Sequence, residues 1–370
     1  MSILLSIIVF SVLVIIHEFG HFLLAKKNGV GVIEFAVGMG PKIVGFNKGG
    51  TNYCWRLIPF GGACMMVGED EENDSENSLN SKSVWARIAV VAAGPIFNFI
   101  LAFVLSIVII GMEGYDKCIV TKVTEGSGAW ECGLREGDVI KEYDGKNIVI
   151  SRDLVLYQYI HDVTKEPIDV TYIRDGKKYE IEMPTTEKYI MGISYMGTED
   201  PCEITAIVRG SAAEAAGLQV EDVIVSLNGT EITSGAQLSE LLNENPLTAE
   251  PIEFEVKRGE EVKKLQMTPK IAYDTGFGYT TARVKANAIE TLRYSFTELR
   301  YNVEYVFGSF EMLFKGKASV DDVSGPVGIV DIVGDTYEAA KQDGARYVFL
   351  NIAFLMVLFS TNLGVLNLLP

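Results

Sequence analysis

His17-Glu18-Phe19-Gly20-His21 sits inside an otherwise apolar run from Ile3 to Leu24. On a helix, His17 and His21 fall one turn apart on the same face, with Glu18 beside them. Two imidazoles at that spacing can share one zinc ion, and an adjacent glutamate can take a proton from metal-bound water. The five-residue pattern is short, but its setting sharpens it. Three ionisable groups in an apolar, membrane-length segment cost about 2.5–3.5 kcal/mol each on insertion scales unless paired or bound, so a chain keeps them for function. A soluble helix with surface histidines is the competing reading. It conflicts with the flanks Ile7-Ile8-Val9-Phe10 and Val12-Leu13-Val14-Ile15-Ile16, which are apolar on every face.

The surrounding chain agrees with a membrane setting. Its 370 residues are 48% hydrophobic, mean hydropathy is +0.21, and the apolar residues cluster. Residues 1–27 read as a first transmembrane helix, retained because no basic stretch precedes it and no small-residue cleavage site follows. Residues 85–112 read as a second, with Ala92-Ala93-Gly94-Pro95 for close helix packing and Asn98 more in a packing role than a substrate-contacting one. Residues 346–370 read as a third, carrying Asn351, Asn362 and Asn367, whose amides need partners inside a protein. Lys26, Lys27, Lys42, Lys48, Arg56, Lys82 and Arg87 place the segment between the first two spans on the cytoplasmic side, so the N-terminus and residues beyond 112 fall outside. A net charge of −17 argues against a nucleic-acid partner. The five cysteines show neither metal-ligand spacing nor a paired framework.

Between the spans the pattern changes. Residues 28–84 are glycine-punctuated and β-prone, a small sheet followed by an acidic loop. An open sheet edge beside a peptidase site has a physical use, since a helical substrate hides its peptide bonds and must be unwound before cleavage; composition alone fits a glycine-rich connector without function equally well. From 115 to 270 the chain repeats itself. Gly126-Ser127-Gly128 through Asp138-Val139-Ile140 recurs as Gly210-Ser211-Ala212 through Asp222-Val223-Ile224, at an offset of 210 − 126 = 84 residues. Two small domains of one fold follow from that repeat. Residues 286 to 315 carry a single stripe, Leu292, Phe296, Leu299, Val303, Val306, Phe310 and Leu313, with Glu298 and Arg300 on the other face; it can lie on the membrane surface or pack on the other domains, and packing is the expected one.

Together these motifs resemble the site-2 protease family, bacterial intramembrane zinc metalloproteases. The resemblance rests on His17-Glu18-Phe19-Gly20-His21, Val37-Gly38-Met39-Gly40-Pro41, Ile58-Pro59-Phe60-Gly61-Gly62, Ala93-Gly94-Pro95-Ile96-Phe97-Asn98-Phe99, the repeat, Ser324-Gly325-Pro326-Val327-Gly328-Ile329 and Asn362 to Pro370. It implies a multi-pass α-helical membrane protein with a small membrane-associated β-sheet and two inserted extracytoplasmic PDZ-like domains, at 113–188 and 189–272. An amphipathic helix and a GPVG loop occupy 273–345. It implies His17 and His21 as ligands of Zn2+, Glu18 as general base, and Gly38, Met39, Gly40, Asn362, Asn367 and Pro370 as substrate-binding residues. The third ligand, an aspartate of a Leu-Asp-Gly motif, is expected a few residues beyond Pro370, as is a fourth span, so the chain reads as C-terminally truncated. The implied partners are single-span membrane proteins, such as anti-sigma factors or remnant signal peptides, and the lipid bilayer of a bacterial inner membrane. The alternative is a membrane-anchored PDZ peptide-binding protein with a vestigial metal site.

Overall fold

The computed structural model describes residues 2–69, 75–198, 200–318 and 325–369. Its contacts divide into two compact units. One comprises Met1–Asp116, Ala282–Phe314 and Ser319–Pro370, the other Lys117–Thr281 with Lys315–Ala318.

In the first unit, Ser2–Lys27 forms one helix, α1, ending on Lys26 and Lys27, whose charges suit the negative end of the helix dipole. Gly29, at φ +68°, turns the chain out of it. Val84–Glu113 forms α2, with the Ser83 hydroxyl accepting from the Ala86 N–H. Ile3–Lys27, Val84–Glu113 and Ala345–Leu366 are each long and apolar enough to cross a membrane. The Ala345–Leu366 helix packs on α2, with Gly364 against the Phe99 ring.

Residues Val32–Lys48 and Thr51–Met66 form a bent hairpin. Its central stretch, Val32 to Val37, pairs with Met66 to Gly62 on one side and lies beside Asn52 to Trp55 on the other. The 62–66 stretch thus runs along one border of the sheet. No further strand joins this sheet among the described residues.

The helix Ala288–Phe314 corrects the expected stripe. Tyr294, Ser295, Glu298 and Asn302 are buried, whereas Leu292, Phe296 and Phe307 are exposed. The stripe is split: Val306 is buried and Leu299 packs against the core that includes Ala102 and Val357, while Leu292 and Phe296 stand out, so polar and apolar residues share the buried face. The expected GPVG loop is also revised. Ser324 lies outside the described residues, and Pro326 opens a helix running to Ala340. Proline suits a first turn, where its missing N–H has no intrahelical partner.

The second unit holds the repeat, and the offset of 84 persists in three dimensions. Ile140, Tyr143, Leu154 and Met183 fill one core, and Ile224, Leu227, Leu238 and Met267 fill the other. Cys118 and Cys202 are equivalent buried core positions, neither of them in a disulfide. Arg174 grips Asp138 through Nε (2.7 Å) and bonds the Gly133 carbonyl; Arg258 does the same to Asp222 (2.7 Å) and Gly217.

The repeats also exchange strands. Ile193–Tyr195, which follows the first repeat, pairs with Ile204–Ile207 of the second. Phe277–Thr280, which follows the second, returns to pair with Ile119–Val123 of the first. Between these crossings Thr186–Ile190 pairs antiparallel with its own equivalent, Lys270–Asp274, with Lys188 opposite Ala272. A local two-fold relation therefore passes through that pair. The sheet of the first repeat is completed by residues that lie beyond the second repeat in sequence.

Candidate metal centre between two helices

The site begins with two missing side chains. A Cβ on Gly20 would stand 2.4 Å from the Ala93 carbonyl oxygen, so glycine there lets α2 approach α1. A Cβ on Gly94 would stand 2.3 Å from His21 Nε2 and 2.6 Å from His17 Nε2. The two imidazoles project into the space that Gly94 leaves open.

The Nε2 atoms of His17 and His21 are 3.2 Å apart, with the rings edge to face. A tetrahedral ion with nitrogens at about 2.0–2.1 Å separates two of them by about 3.3 Å. The pair therefore fits a shared metal. His21 Nδ1 lies 2.8 Å from the Val90 carbonyl oxygen, which can only accept, so the proton is on Nδ1 and the Nε2 lone pair is free. The Asn98 amide Nδ2 donates to His17 Nδ1 at 3.0 Å. Among the described residues no three His, Cys, Asp or Glu side chains converge as a metal cluster, so they offer two donors.

Glu18 is half-buried, and its carboxylate reaches the backbone of Cys64. Gly62 lies beside it, for a Cβ there would be 3.4 Å from Glu18 Cγ. The border strand of the hairpin thus passes alongside Glu18. It is tied lower down by Ser11 Oγ donating to the Pro59 carbonyl at 2.6 Å, and by the Phe10–Phe60 ring contact.

The other predicted residues are placed unevenly. Gly38 and Gly40 have φ of +89° and +85° and mark the bend of the hairpin, where Met39 pairs with Ile58. The Met39 side chain lies against Gly61, next in sequence to the Gly62 that borders Glu18. Asn362 is partly buried, and its Oδ1 has no hydrogen-bond partner among the described residues. Asn367 is exposed and donates back to the Leu363 carbonyl of its own helix. Pro370 lies outside the described residues.

Sequence reasoning underweighted Asn98. It is fully buried and bonds His17, and its backbone carbonyl accepts from Ser360 Oγ at 2.7 Å. Its spacing of four from Gly94 was the available signal, since both then lie on one face of α2.

With this geometry in hand, the comparisons are specific. The sequence profile of Peptidase family M50 matches residues 5–370. A Clostridium perfringens protein named a putative zinc metalloprotease is 29% identical over 375 residues, covering 100% of this chain and 84% of its own. The zinc metalloprotease RasP of Shouchella clausii is 27% identical over 396 residues, covering 100% of this chain and 86% of its own. Among solved structures, the HtrA3 PDZ domain bound to a phage-derived ligand is 21% identical, with a TM-score of 0.21, covering 24% of this chain and 91% of its own. The chain belongs to peptidase family M50, the site-2 protease family, and is a metalloendopeptidase.

Proposed function

We propose that this protein is an intramembrane zinc protease that cuts the transmembrane segments of single-span membrane proteins in regulated intramembrane proteolysis. The observation that carries the reading is the pair of Nε2 atoms 3.2 Å apart on a membrane-length helix, with Glu18 one residue away facing a sheet border. His17 and His21 would hold the ion. When bound, zinc lowers the pKa of water and polarises the scissile carbonyl. Glu18 takes the proton from the attacking water and passes it to the leaving amine. The strand at 62–66 is a border strand along which an extended substrate segment could lie, displacing the side-chain partners Glu18 and Glu69 from the Cys64 and Met66 backbone, with Gly38, Met39 and Gly40 at the bend of the hairpin and Asn362 and Asn367 on the C-terminal helix as further contacts.

The basic residues from Lys26 to Arg87 support a cytoplasmic hairpin and an extracytoplasmic pair of PDZ-like repeats, and the inner membrane of a bacterium as location. Imidazole donors suit several divalent transition ions, and the names of the relatives support zinc among them.

The test compares wild type with Glu18→Gln on a single-span reporter in liposomes. The variant is expected to retain zinc and lose at least about 100-fold in cleavage, the scale of a lost acid–base group. Undiminished cleavage by the variant overturns the mechanism. Binding of the reporter with no metal-dependent cut by the wild type would favour the membrane-anchored peptide-binding reading instead.

A further inference from the structure

The offset of 84 relates the ribbon of Thr186–Ile190 and Lys270–Asp274 to itself, with Lys188 opposite Ala272. The local two-fold therefore generates two equivalent seams between the repeats. One seam opens into a cleft of about 440 Å³, the size of a ligand or peptide site. It is lined by Lys270 to Tyr273, by the turn from Val208 to Ala212, by Ile190 to Gly192, and by Asp162 and Val163 beyond the helix Ser151–Ile160. No residue of Ile193–Tyr195 or of the helix Gly235–Glu244 lines it, so the cleft is separate from that strand and helix.

The two seams carry opposite chemistry. At the cleft stand Arg209 and Lys270 together with Ile190, Val208 and Ile271, all three of which are exposed. At the positions 84 residues away stand, in the same order, Glu125, Thr186, Asp274, Thr124 and Glu187. One seam is basic and apolar, the other acidic and polar. The shared backbone requires neither, so the difference lies in what each seam can hold.

The cations of the cleft have no acidic partners among the described residues. Lys270 Nζ donates to the Gly210 carbonyl at 2.5 Å, and no hydrogen bond or ion pair of Arg209 is found among the described residues. The neighbouring acids are engaged elsewhere: Glu214 Oε2 accepts from the Gly210 N–H at 2.6 Å, and Asp162 pairs with Lys317 at 2.8 Å. Lys270–Asp274 pairs with Thr186–Ile190 on one side, and no further strand joins its other side among the described residues. Such an edge is a template for an extended chain, and the side chains beside it select the sequence. A simple anion site would use the two cations but neither the edge nor the apolar surface.

We propose that this cleft docks an extended peptide segment rich in acidic and apolar residues. Its backbone lies along the outer edge of Lys270–Asp274, its acids meet Arg209 and Lys270, and its apolar side chains cover Ile190, Val208 and Ile271. This deepens the protease reading and rests on it in one respect, that the segment belongs to the soluble part of a substrate. Docking itself requires no cleavage, so the two can fail separately.

The test titrates the full chain in detergent into a short fluorescein-labelled peptide of alternating glutamate and valine, blocked at both ends, and reads fluorescence polarisation. Saturable binding is expected, weakening as salt is raised. Arg209→Glu with Lys270→Glu is expected to weaken it at least about tenfold. Both side chains are exposed, so the variant should keep its fold, which thermal unfolding checks. Glu125→Gln, in the other seam, is expected to leave the affinity unchanged, and a peptide with lysine for glutamate should not bind. No saturable binding by the wild type, or equal affinity in the charge-reversed variant, overturns the proposal. Loss of binding in Glu125→Gln overturns it too, because the peptide would then lie on the other seam. Displacement by inorganic phosphate as readily as by unlabelled peptide would mean a simple anion site and overturns the peptide. Binding by a protein that cleaves no reporter supports the docking site and removes only the substrate role.

Discussion

Gly94 lacks a side chain because two imidazoles occupy the space one would need. A Cβ there would fall between the nitrogens that converge, at 2.3 and 2.6 Å from them. Gly94→Ala should therefore abolish zinc uptake, by about 100-fold or more, because it fills the ligand site itself rather than loosening an outer partner. Measuring bound zinc after gel filtration checks this, and stoichiometric zinc in the variant would refute it. Gly20 has a different duty. It admits the Ala93 carbonyl at helix-contact distance, so Gly20→Ala should push α1 and α2 apart and destabilise the fold by about 1–3 kcal/mol, the usual cost of overpacking. Thermal unfolding in detergent reads that cost.

Among the elements, the helix Ala288–Phe314 buries polar residues together with Val306 and Met312 and leaves two phenylalanines exposed. Its Glu298 and Asn302 are buried, while Phe296 is 62% and Phe307 52% exposed. In water that arrangement would expose a costly apolar stripe. In hydrocarbon it is the stable one. Phe307→Trp should add fluorescence that brominated acyl chains quench and aqueous iodide does not; iodide quenching would mean the face meets water. In the repeat unit the comparable element-scale feature is the arginine clamp. Burial raises the Asp222 carboxyl, but the Arg258 guanidinium outweighs it and holds the group below its ordinary value of 3.8. A depressed folded pKa contributes stability above the unfolded value and loses it as pH falls through the folded one. The urea midpoint of residues 117–281 should thus drop as pH falls below about 4. Asp222→Asn should have a lower midpoint at pH 7 and a flatter acid limb; parallel curves for both proteins would exclude the clamp as a cause.

For the molecule as a whole, strand exchange ties the repeats into one folding unit. Phe277–Thr280 completes the sheet of the first repeat from beyond the second, and Ile193–Tyr195 serves the second from beyond the first. Residues 117–281 should unfold in a single transition seen by circular dichroism. A fragment ending at Met183 should be markedly less stable, because its Ile119–Val123 edge loses its partner. Equal stability of the two fragments would show that the exchange carries no energy.

The metal-binding spacing, the three apolar helices, the small sheet and the repeat with its offset of 84 are all legible along the chain. Each is a local or periodic signal, set by side-chain spacing along one element. Packing in three dimensions fixes which residues meet across elements. It brought Asn98 to His17 from 81 positions away, set Gly94 between two imidazoles, and returned Phe277–Thr280 to the first repeat. It also split the stripe of Ala288–Phe314, burying Val306 and leaving Phe296 exposed. A periodic apolar stripe shows that a helix has two faces, and whether protein or lipid covers the apolar one depends on what surrounds it, which the stripe does not encode.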